Sequence, residues 1–507
     1  MKRRPAGVLL VVGGLHLVSA CWHVLYSGMN SDEGFYAVAA RSVWQGDVPY
    51  RDFGHTQMPL LPYINGLMMQ LTGFGLFEQR AINGLWGALT LALAAIWLSR
   101  RTNVYWALGL VAFFSLSAPW MYFIHLGKTY AFAGLVTVAA LWVYTEVAPS
   151  VNKVSGLALL GAVGVGCRLP SAPYFALLWF AAALELPRHS RKDLLEAAGY
   201  SILWPALLVL PFYLAAPEAA IFWTFDFHRI SGLTRSWHVP WLIVATLAPA
   251  LWLGLAGGLL HAVVRRSLPG RRDLVVVAAT LATLATNLLP RGAFEEYAVP
   301  LLPPLALSAS VALWHAGSVI RWLRHGLVPL VLLLANLGLT VALQWPHLRT
   351  EPRYIGSILL PPNAPYNPDL PESMARGRAV VKRYLPPDRP FVGPLIILAV
   401  ETGHRVPHNL RMGAFSLTSD FAADKARRLN LATIPELEGY LTDPAMPLLA
   451  WSKTPDNNYL YSMPTFHSTA RDRSFPWNKF LQRDFVIAYQ DADFLLLVRK
   501  NAVPAER

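Results

Sequence analysis

The feature that most constrains this chain is a series of long apolar runs, separated by short segments that hold many of its arginines and lysines. A helix rises 1.5 Å per residue, so about 20 apolar residues cross the hydrocarbon core of a bilayer. Runs of this kind lie near residues 7–26, 80–99, 104–123, 129–147, 154–168, 171–186, 195–216, 240–264, 273–290, 297–319 and 326–345. They predict a polytopic α-helical membrane protein with about eleven transmembrane helices.

Composition supports this class. Of the 507 residues, 54% are hydrophobic and 14% are charged, whereas a soluble domain has about 25% charged residues. The net charge of +13 is spread between apolar runs, which argues against one basic face for nucleic acid. Cys21 and Cys167 lie far apart in apolar surroundings, so a disulfide framework or a cysteine-ligated zinc site is not expected.

The distribution of charge predicts an orientation. With the N-terminus inside, the inner segments are rich in cations, as the positive-inside rule requires. We interpret the basic start and the run to Tyr26 as an uncleaved helix rather than a signal peptide. The inner segments hold Lys2, Arg3, Arg4, Arg100, Arg101, Lys153, Arg188, Arg191, Lys192, Arg265, Arg266, Arg271, Arg272, Arg321 and Arg324.

Two segments differ from the apolar runs. Residues 27–79 form a polar outer stretch, in which Ser31, Asp32 and Glu33 are suited to cap a helix that ends near Gly46 and Pro49. Residues 347–507 predict a soluble α/β domain outside the membrane, with strands near 391–392 and 395–400 and a hairpin at 485–489 and 494–498. The predicted domains are thus a transmembrane domain, 1–346, and this tail.

The outer stretch contains the most informative motifs: Ser31-Asp32-Glu33-Gly34-Phe35-Tyr36, then Gly46-Asp47-Val48-Pro49-Tyr50-Arg51-Asp52-Phe53, then His55 and Pro59-Leu60. Here the chain resembles membrane-embedded GT-C glycosyltransferases, in the protein mannosyltransferase-like, RgtA-like and ArnT-like branch that uses a polyprenyl-phosphate sugar. The resemblance reaches about residue 345 and includes Tyr297 to Leu307, with prolines at 300, 303 and 304. It departs at Gln57-Met58, where many relatives have Lys-Pro.

The resemblance implies roles for individual residues. Asp32 is the implied base, and Glu33 would orient the acceptor, assist it or bind a metal. His55 is a candidate replacement for the missing lysine. The further implied substrate contacts are Tyr36, Tyr50, Arg51 and Asp52.

The chemistry fits these residue types. A lipid phosphate leaves without a strong general acid, so one carboxylate base and a few cations suffice for sugar transfer. Attack opposite the phosphate would invert the anomeric configuration. The alternative is that Asp32 and Glu33 only cap a helix.

Cations near the outer ends of apolar runs are candidates for binding the donor phosphate: Arg168, Lys128 and Arg291. The alternative is snorkelling to ordinary headgroups. Glu295, Glu296 and Tyr297 are candidates for binding the sugar, although adjacent acids also suit a solvated loop. The loop from Trp223 to His238 suits a lid or an interfacial helix.

The sequence therefore predicts an inverting glycosyltransferase that moves a hexose or pentose from a polyprenyl phosphate to a lipid, glycan or protein acceptor outside the membrane. The family branch implies the bacterial cytoplasmic membrane, and it leaves a divalent cation open as a cofactor. No metal site and no nucleic-acid partner are predicted. The alternatives are a transporter or lipid flippase with a cargo-binding outer domain, in which charges would line a mid-bilayer path, and an inactive scaffold.

Overall fold

The structure is a computed structural model that describes residues 4–186, 191–230, 258–259, 261–263, 270–288, 294–316, 331, 367–393, 395–418, 421–444, 446–452, 483–491 and 494–502. Most of these residues are helical. The helices up to residue 230 are α1 Arg4–Tyr26, α2 Ser31–Trp44, α3 Leu60–Thr72, α4 Leu76–Arg101, α5 Val104–Ser115, α6 Ala118–His125, α7 Tyr130–Glu146, α8 Val151–Cys167, α9 Ala172–Leu184, α10 Arg191–Leu208, α11 Leu210–Ala215, α12 Pro217–Ile221 and α13 Phe227–Ile230. Beyond them lie α14 Arg271–Leu288, α15 Leu302–Ala316, α16 Leu370–Tyr384, α17 Ile397–Thr402, α18 Ala423–Arg428 and α19 Ile434–Thr442.

The chain forms two compact units, each assembled from separate stretches of sequence. The first unit comprises Met1–Val24, Asn83–Val209 and Arg235–Tyr366, and the second comprises Leu25–Ile82, Leu210–Thr234 and Asn367–Arg507. The second unit thus contains both the predicted outer stretch and the tail from Asn367. The predicted domain boundary at residues 346 and 347 lies outside the described residues and stays a prediction.

Apolar helices build the first unit. Within the described residues, Leu9–Tyr26, Leu76–Arg101 and Glu296–Ala316 are long and apolar enough to cross a membrane, and a bent pair adds a fourth candidate. Shorter apolar helices follow at Tyr130–Glu146, Val151–Cys167 and Leu169–Leu184. The predicted runs 240–264 and 326–345 lie almost wholly outside the described residues, so the count of eleven stays a prediction.

Two predicted helices prove to be broken. The run 104–123 forms α5 and α6, which meet at an angle of 69°, because Pro119 cannot donate the hydrogen bond that would continue α5. The run 195–216 is interrupted between α10 and α11. The helix predicted at 297–319 begins as a 3₁₀ helix, Glu295–Leu301, which contains Pro300.

Large aromatic side chains and paired charges fill the core of the first unit. Trp97, Trp106 and Trp120 are almost fully buried there, and the Trp97 indole N–H donates to Thr145 Oγ1 at 2.8 Å. Where α8 meets the end of α9, Lys153 is buried and its ammonium lies 2.7 Å from a Glu185 carboxylate oxygen. This contact matters because burying an unpaired charge is costly.

In the second unit, α2 packs against α3 and α17. Gly66 of α3 allows α3 to approach α2 closely, since a Cβ at this position would lie 2.6 Å from the Ala40 carbonyl oxygen. The Arg41 guanidinium donates to the carbonyl oxygens of Ala399, at 2.9 Å, and His404. Arg41 thereby satisfies carbonyl groups at the end of α17, a stabilising use of a cation at a helix C-terminus.

The tail contains the predicted hairpin but not all of the predicted strands. Strands β4 Phe485–Gln490 and β5 Phe494–Arg499 are antiparallel, and β5 also pairs with β3 Leu448–Ser452. A second, parallel pair consists of β1 Leu417–Thr418 and β2 Ala432–Thr433. The strand predicted at 395–400 is wrong: this run forms α17, because a short apolar run does not distinguish a buried strand from a buried helix. Val392 makes only an isolated bridge to Leu449.

Trp223 joins three stretches of the second unit. Its indole N–H donates to the Leu429 carbonyl at 2.8 Å, and a Cβ at Gly54 would lie 2.2 Å from its ring. His228 of the same stretch contacts the Thr56 carbonyl at 2.9 Å. The described part of the predicted lid is therefore packed against the outer stretch and the tail, while residues 231–238 lie outside the described residues.

This packing makes Gly54 sensitive to one added methyl group. We expect Gly54→Ala to displace the Trp223 ring and to destabilise the protein by about 1–3 kcal/mol, the usual range for overpacking. Thermal unfolding in detergent measures the loss. Gly439→Ala is the matched control, because a Cβ there meets nothing within 4 Å and alanine favours a helix. Equal melting temperatures for the two variants would contradict the proposed packing.

Candidate active site

The candidate base stands on the first turn of α2. Asn30 is the N-cap residue, one position earlier than predicted, and its side chain accepts from the Asp32 amide at 3.1 Å. Glu33 completes a capping box by accepting from the Asn30 amide at 3.0 Å. Asp32 is partly exposed. The cap thus fixes the backbone that carries Asp32.

Glu33 is instead fully buried in an ion pair with Arg80. The two side chains are both 0% exposed, and the guanidinium reaches the two carboxylate oxygens at 2.8 and 2.7 Å. Arg80 also donates to the carbonyl oxygens of Ser27 and Gly28. Both oxygens of Glu33 are therefore engaged, and in this arrangement the residue positions the start of α2. Its predicted role at the acceptor stays a prediction.

His55 lies close to α2 as a buried ring. It is edge-on to Tyr36, with 6.1 Å between ring centroids, and it also meets Phe53. Neither ring nitrogen has a well-formed hydrogen bond among the described residues. Burial lowers the pKa of His55 to about 3, although the Met58 backbone has a smaller effect that raises it. His55 is thus neutral at physiological pH in this arrangement, and a role in place of the missing lysine stays a prediction.

The Tyr50-Arg51-Asp52 motif forms a structured turn. Tyr50 is buried with a φ of 69°, and its hydroxyl donates to the Gln57 carbonyl at 2.6 Å. Arg51 is exposed and pairs with Asp52 at 2.7 Å, which lowers the pKa of the Asp52 carboxyl through that hydrogen bond. Asn430 donates to the Tyr50 carbonyl at 2.7 Å. In this arrangement the motif shapes the outer stretch, and a substrate contact stays a prediction for all three residues.

A second group of predicted residues comes together in the first unit. Arg168 is 3% exposed and lies between two aromatic rings, with its guanidinium carbon 4.7 Å from the ring centroid of Tyr130 and 4.7 Å from that of Tyr297. It donates to Thr129 Oγ1 at 3.3 Å, and its second terminal nitrogen has no hydrogen-bond partner among the described residues. Rings stabilise a cation by cation–π attraction without neutralising it.

Lys128 and Glu296 form a buried ion pair in the same group, with the ammonium 3.1 Å from the carboxylate. The Tyr130 phenol lies within electrostatic reach of Lys128, Glu296 and Arg168. We call Lys128, Tyr130, Arg168, Glu296 and Tyr297 the cationic cluster. Two of its members are buried cations, Lys128 and Arg168, which suit an anionic ligand.

The structure does not describe the side chains of two other predicted residues, Arg291 and Glu295. Arg291 lies outside the described residues, and the Glu295 backbone belongs to the 3₁₀ helix before α15. Within the described residues, no three His, Cys, Asp or Glu side chains are arranged to hold a metal ion.

Sequence reasoning missed the roles of Asn30, Arg80 and Tyr130. Arg80 and Tyr130 lie at the start of apolar runs, where an ionisable side chain indicates a polar partner or a functional site.

Solved structures of similar fold were found. ArnT from Cupriavidus metallidurans bound to undecaprenyl phosphate has a TM-score of 0.61 and 15% identity, with 99% of each chain covered. The apo state of that protein has a TM-score of 0.59 and 15% identity, again with 99% of each chain covered. No protein-family model matches the chain, and no curated protein matches its sequence.

These likenesses define the class: the chain has the GT-C fold. The predicted fold family is thereby confirmed. At 15% identity the comparison shows the fold alone, so the roles of individual residues rest on their contacts in this chain.

The buried Glu33–Arg80 pair predicts a large loss of stability when one partner is removed. Arg80→Met removes the cation that pairs with the buried Glu33 carboxylate, and we expect it to cost about 3–5 kcal/mol in the free energy of unfolding. The double variant with Glu33→Gln should recover part of this loss. Arg376→Met is the control, because Arg376 and its partner Glu372 are both exposed. A loss no larger than that of the control would contradict the structural role of the pair.

The neutral His55 predicts a pH dependence. Its pKa of about 3 in the folded protein lies below the unfolded value of about 6.5. The stability that the neutral ring contributes is therefore complete above about pH 6.5 and is lost as the pH falls. The slope is about 1.36 kcal/mol per pH unit, or about 2 kcal/mol between pH 7 and pH 5. Wild type should lose that much more stability than His55→Gln over this range. Parallel stability curves would exclude a buried neutral ring.

Proposed function

We propose that the chain is an inverting glycosyltransferase that moves a hexose or pentose from a polyprenyl-phosphate carrier to an acceptor hydroxyl. The observation that carries the proposal is the cationic cluster in a chain with the GT-C fold. A sugar–phosphate–prenyl donor is a phosphodiester with one negative charge, and the cluster offers it the buried cations Lys128 and Arg168. ArnT, the structural neighbour, was crystallised with undecaprenyl phosphate, a lipid of the proposed class.

The cluster is suited to bind a phosphate. Arg168 keeps a guanidinium nitrogen that has no hydrogen-bond partner in the part of the chain that the structure describes, and Lys128 supplies a second positive charge. Cations held in a buried site stabilise the charge that develops on a leaving phosphate without having to reorganise. These two residues are therefore the proposed ligands of the donor phosphate, with Arg291 as a further candidate.

On the acceptor side, Asp32 is the proposed base. Its carboxylate would take the proton of the acceptor hydroxyl as the oxygen attacks the anomeric carbon. The bond between that carbon and the phosphate oxygen breaks on the opposite face, which inverts the configuration. The bond electrons leave with the lipid phosphate, and the proton stays on Asp32.

The remaining features of the proposal follow the orientation predicted from charge. Asp32 and the tail from residue 347 would face the outer side of a bacterial cytoplasmic membrane, with the N-terminus inside. The acceptor would be a lipid, glycan or protein presented there. Tyr36, Tyr50, Arg51, Asp52 and Glu295 are retained as candidates for binding the sugar or acceptor.

The base assignment predicts the effect of Asp32→Asn. We expect this variant to lose at least about 10²-fold in transfer rate, because general-base catalysis typically contributes 10²–10⁴-fold. Its folding and its affinity for a polyprenyl monophosphate should stay close to wild type, since the Asn30 cap and Glu33 are untouched. Release of lipid phosphate from a labelled polyprenyl-phosphate sugar measures the rate.

Glu372→Gln is the matched control for this variant. Glu372 is also an acid in the first turn of a helix in the second unit, and its change should leave transfer unaltered. Full transfer activity in Asp32→Asn would reject Asp32 as the base.

A further inference from the structure

The first turn of α7 lies buried in the cationic cluster. Thr129 is the N-cap residue of this 17-residue helix, and Tyr130 and Ala131 are its first two helical residues. These three residues are at most 5% exposed. The first turn of a helix leaves backbone N–H groups without intrahelical acceptors, so a buried helix start needs acceptors from elsewhere.

The part of the chain that the structure describes does not supply these acceptors. The backbone N–H groups of Tyr130, Ala131 and Phe132 make no hydrogen bond to other described residues. Thr129 has a side chain suited to a cap, but its backbone is already helical and its hydroxyl caps none of these groups. By contrast, Ser150 has an extended backbone and caps α8 by accepting from a first-turn amide.

A cation with an unpartnered nitrogen faces the same turn. The Arg168 guanidinium donates through Nη1 to Thr129 Oγ1 at 3.3 Å, and its carbon lies 4.7 Å from the Tyr130 ring centroid. Nη2 has no hydrogen-bond partner among the described residues, and Arg168 is 3% exposed. Backbone donors and a guanidinium donor therefore lie beside each other in a buried place, and each of them lacks an acceptor there.

We propose that the phosphate of the donor binds at the N-terminus of α7, where first-turn amides and Nη2 of Arg168 donate to its oxygens. This inference rests on the function proposed above and adds the backbone of α7 to the ligands of that site. Peptide dipoles give a helix N-terminus a partial positive charge, and its N–H groups point at a bound anion. Thr129 leaves these groups available because its hydroxyl contacts Arg168 instead.

Backbone donors suit a phosphate that leaves during the reaction. When the bond between the anomeric carbon and the phosphate oxygen breaks, its electrons move to the lipid phosphate and the negative charge there grows. Amides that are fixed by a helix already point at the place where this charge develops, so they stabilise it without reorganising. They also carry no net charge that has to be buried while the site is empty.

Removal of one amide tests the proposal without a change of side chain. Lactic acid in place of Ala131, introduced by nonsense suppression, turns the amide of that residue into an ester, which has no N–H group. The full-length protein in detergent should then bind a polyprenyl monophosphate on the order of tenfold more weakly, as expected for loss of a hydrogen bond to a charged group. Intrinsic tryptophan fluorescence measures the affinity.

The matched control is an ester in the first turn of α8. This helix also has 17 residues and lies in the first unit, but Ser150 caps it. The α-hydroxy analogue of valine in place of Val151 removes a first-turn amide of α8 in the same way. The unfolding temperatures of the two ester proteins should be similar, and the affinity of the control for the monophosphate should equal that of wild type.

A carboxylate at the N-cap position supplies a second test. Thr129→Asp places an anion beside the first-turn amides and Arg168, so it should occupy the phosphate site and raise the unfolding temperature of the empty protein. Affinity for the monophosphate should fall on the order of tenfold or more. Thr129→Ser keeps the hydroxyl and should match wild type in both measurements. A residue needed only for folding would not raise stability and lower affinity together.

The outcomes separate this inference from the proposed function. If wild type does not bind the monophosphate, the proposed function fails. If wild type binds it, and Arg168→Met weakens binding while the ester at position 131 does not, the phosphate binds to side chains of the cluster and the role of the α7 amides is wrong. If the ester protein does not fold, Thr129→Asp decides, since unchanged affinity or a lower unfolding temperature in that variant overturns the inference.

Discussion

The ion pair between Glu33 and Arg80 is the interaction on which the candidate active site depends. Both side chains are completely buried, where an unpaired charge would cost several kcal/mol. The pair fixes the first turn of α2 to the start of α4 and, through Asn30, sets the residue at which α2 begins. Asp32 is presented by that turn, so its position follows from a charge constraint and not from a flexible loop.

The same constraint recurs in the first unit, with a different result. Lys153 pairs with Glu185, and Lys128 contacts Glu296, but Arg168 is held between two phenol rings. Aromatic rings stabilise a cation and leave its charge available. A cation that is compensated by a carboxylate forms a structural ion pair, whereas a cation that is held by aromatic rings can still receive an anion.

The sequence predicted the features that depend on local pattern. The apolar runs gave most of the helices, Gly46 and Pro49 marked the end of α2, and the alternation around residues 485–498 gave the hairpin. It could not predict features that depend on distant partners. The ion pair of Glu33 was not predicted, because its partner Arg80 lies 47 positions away, and α17 looked like a strand because short buried runs are ambiguous. The GT-C fold was recognised from short motifs, while the cluster required residues from three separate segments of the sequence to be brought together.

The central claim is that a lipid phosphate is released as a sugar is transferred with inversion. Incubation of the purified protein with a panel of polyprenyl-phosphate sugars and candidate acceptors, followed by detection of lipid phosphate and by NMR of the new glycosidic bond, tests it most directly. We expect one donor to yield stoichiometric polyprenyl phosphate and a product of inverted anomeric configuration. Movement of these lipids across a bilayer with every sugar–phosphate bond intact would instead identify a transporter and contradict the claim.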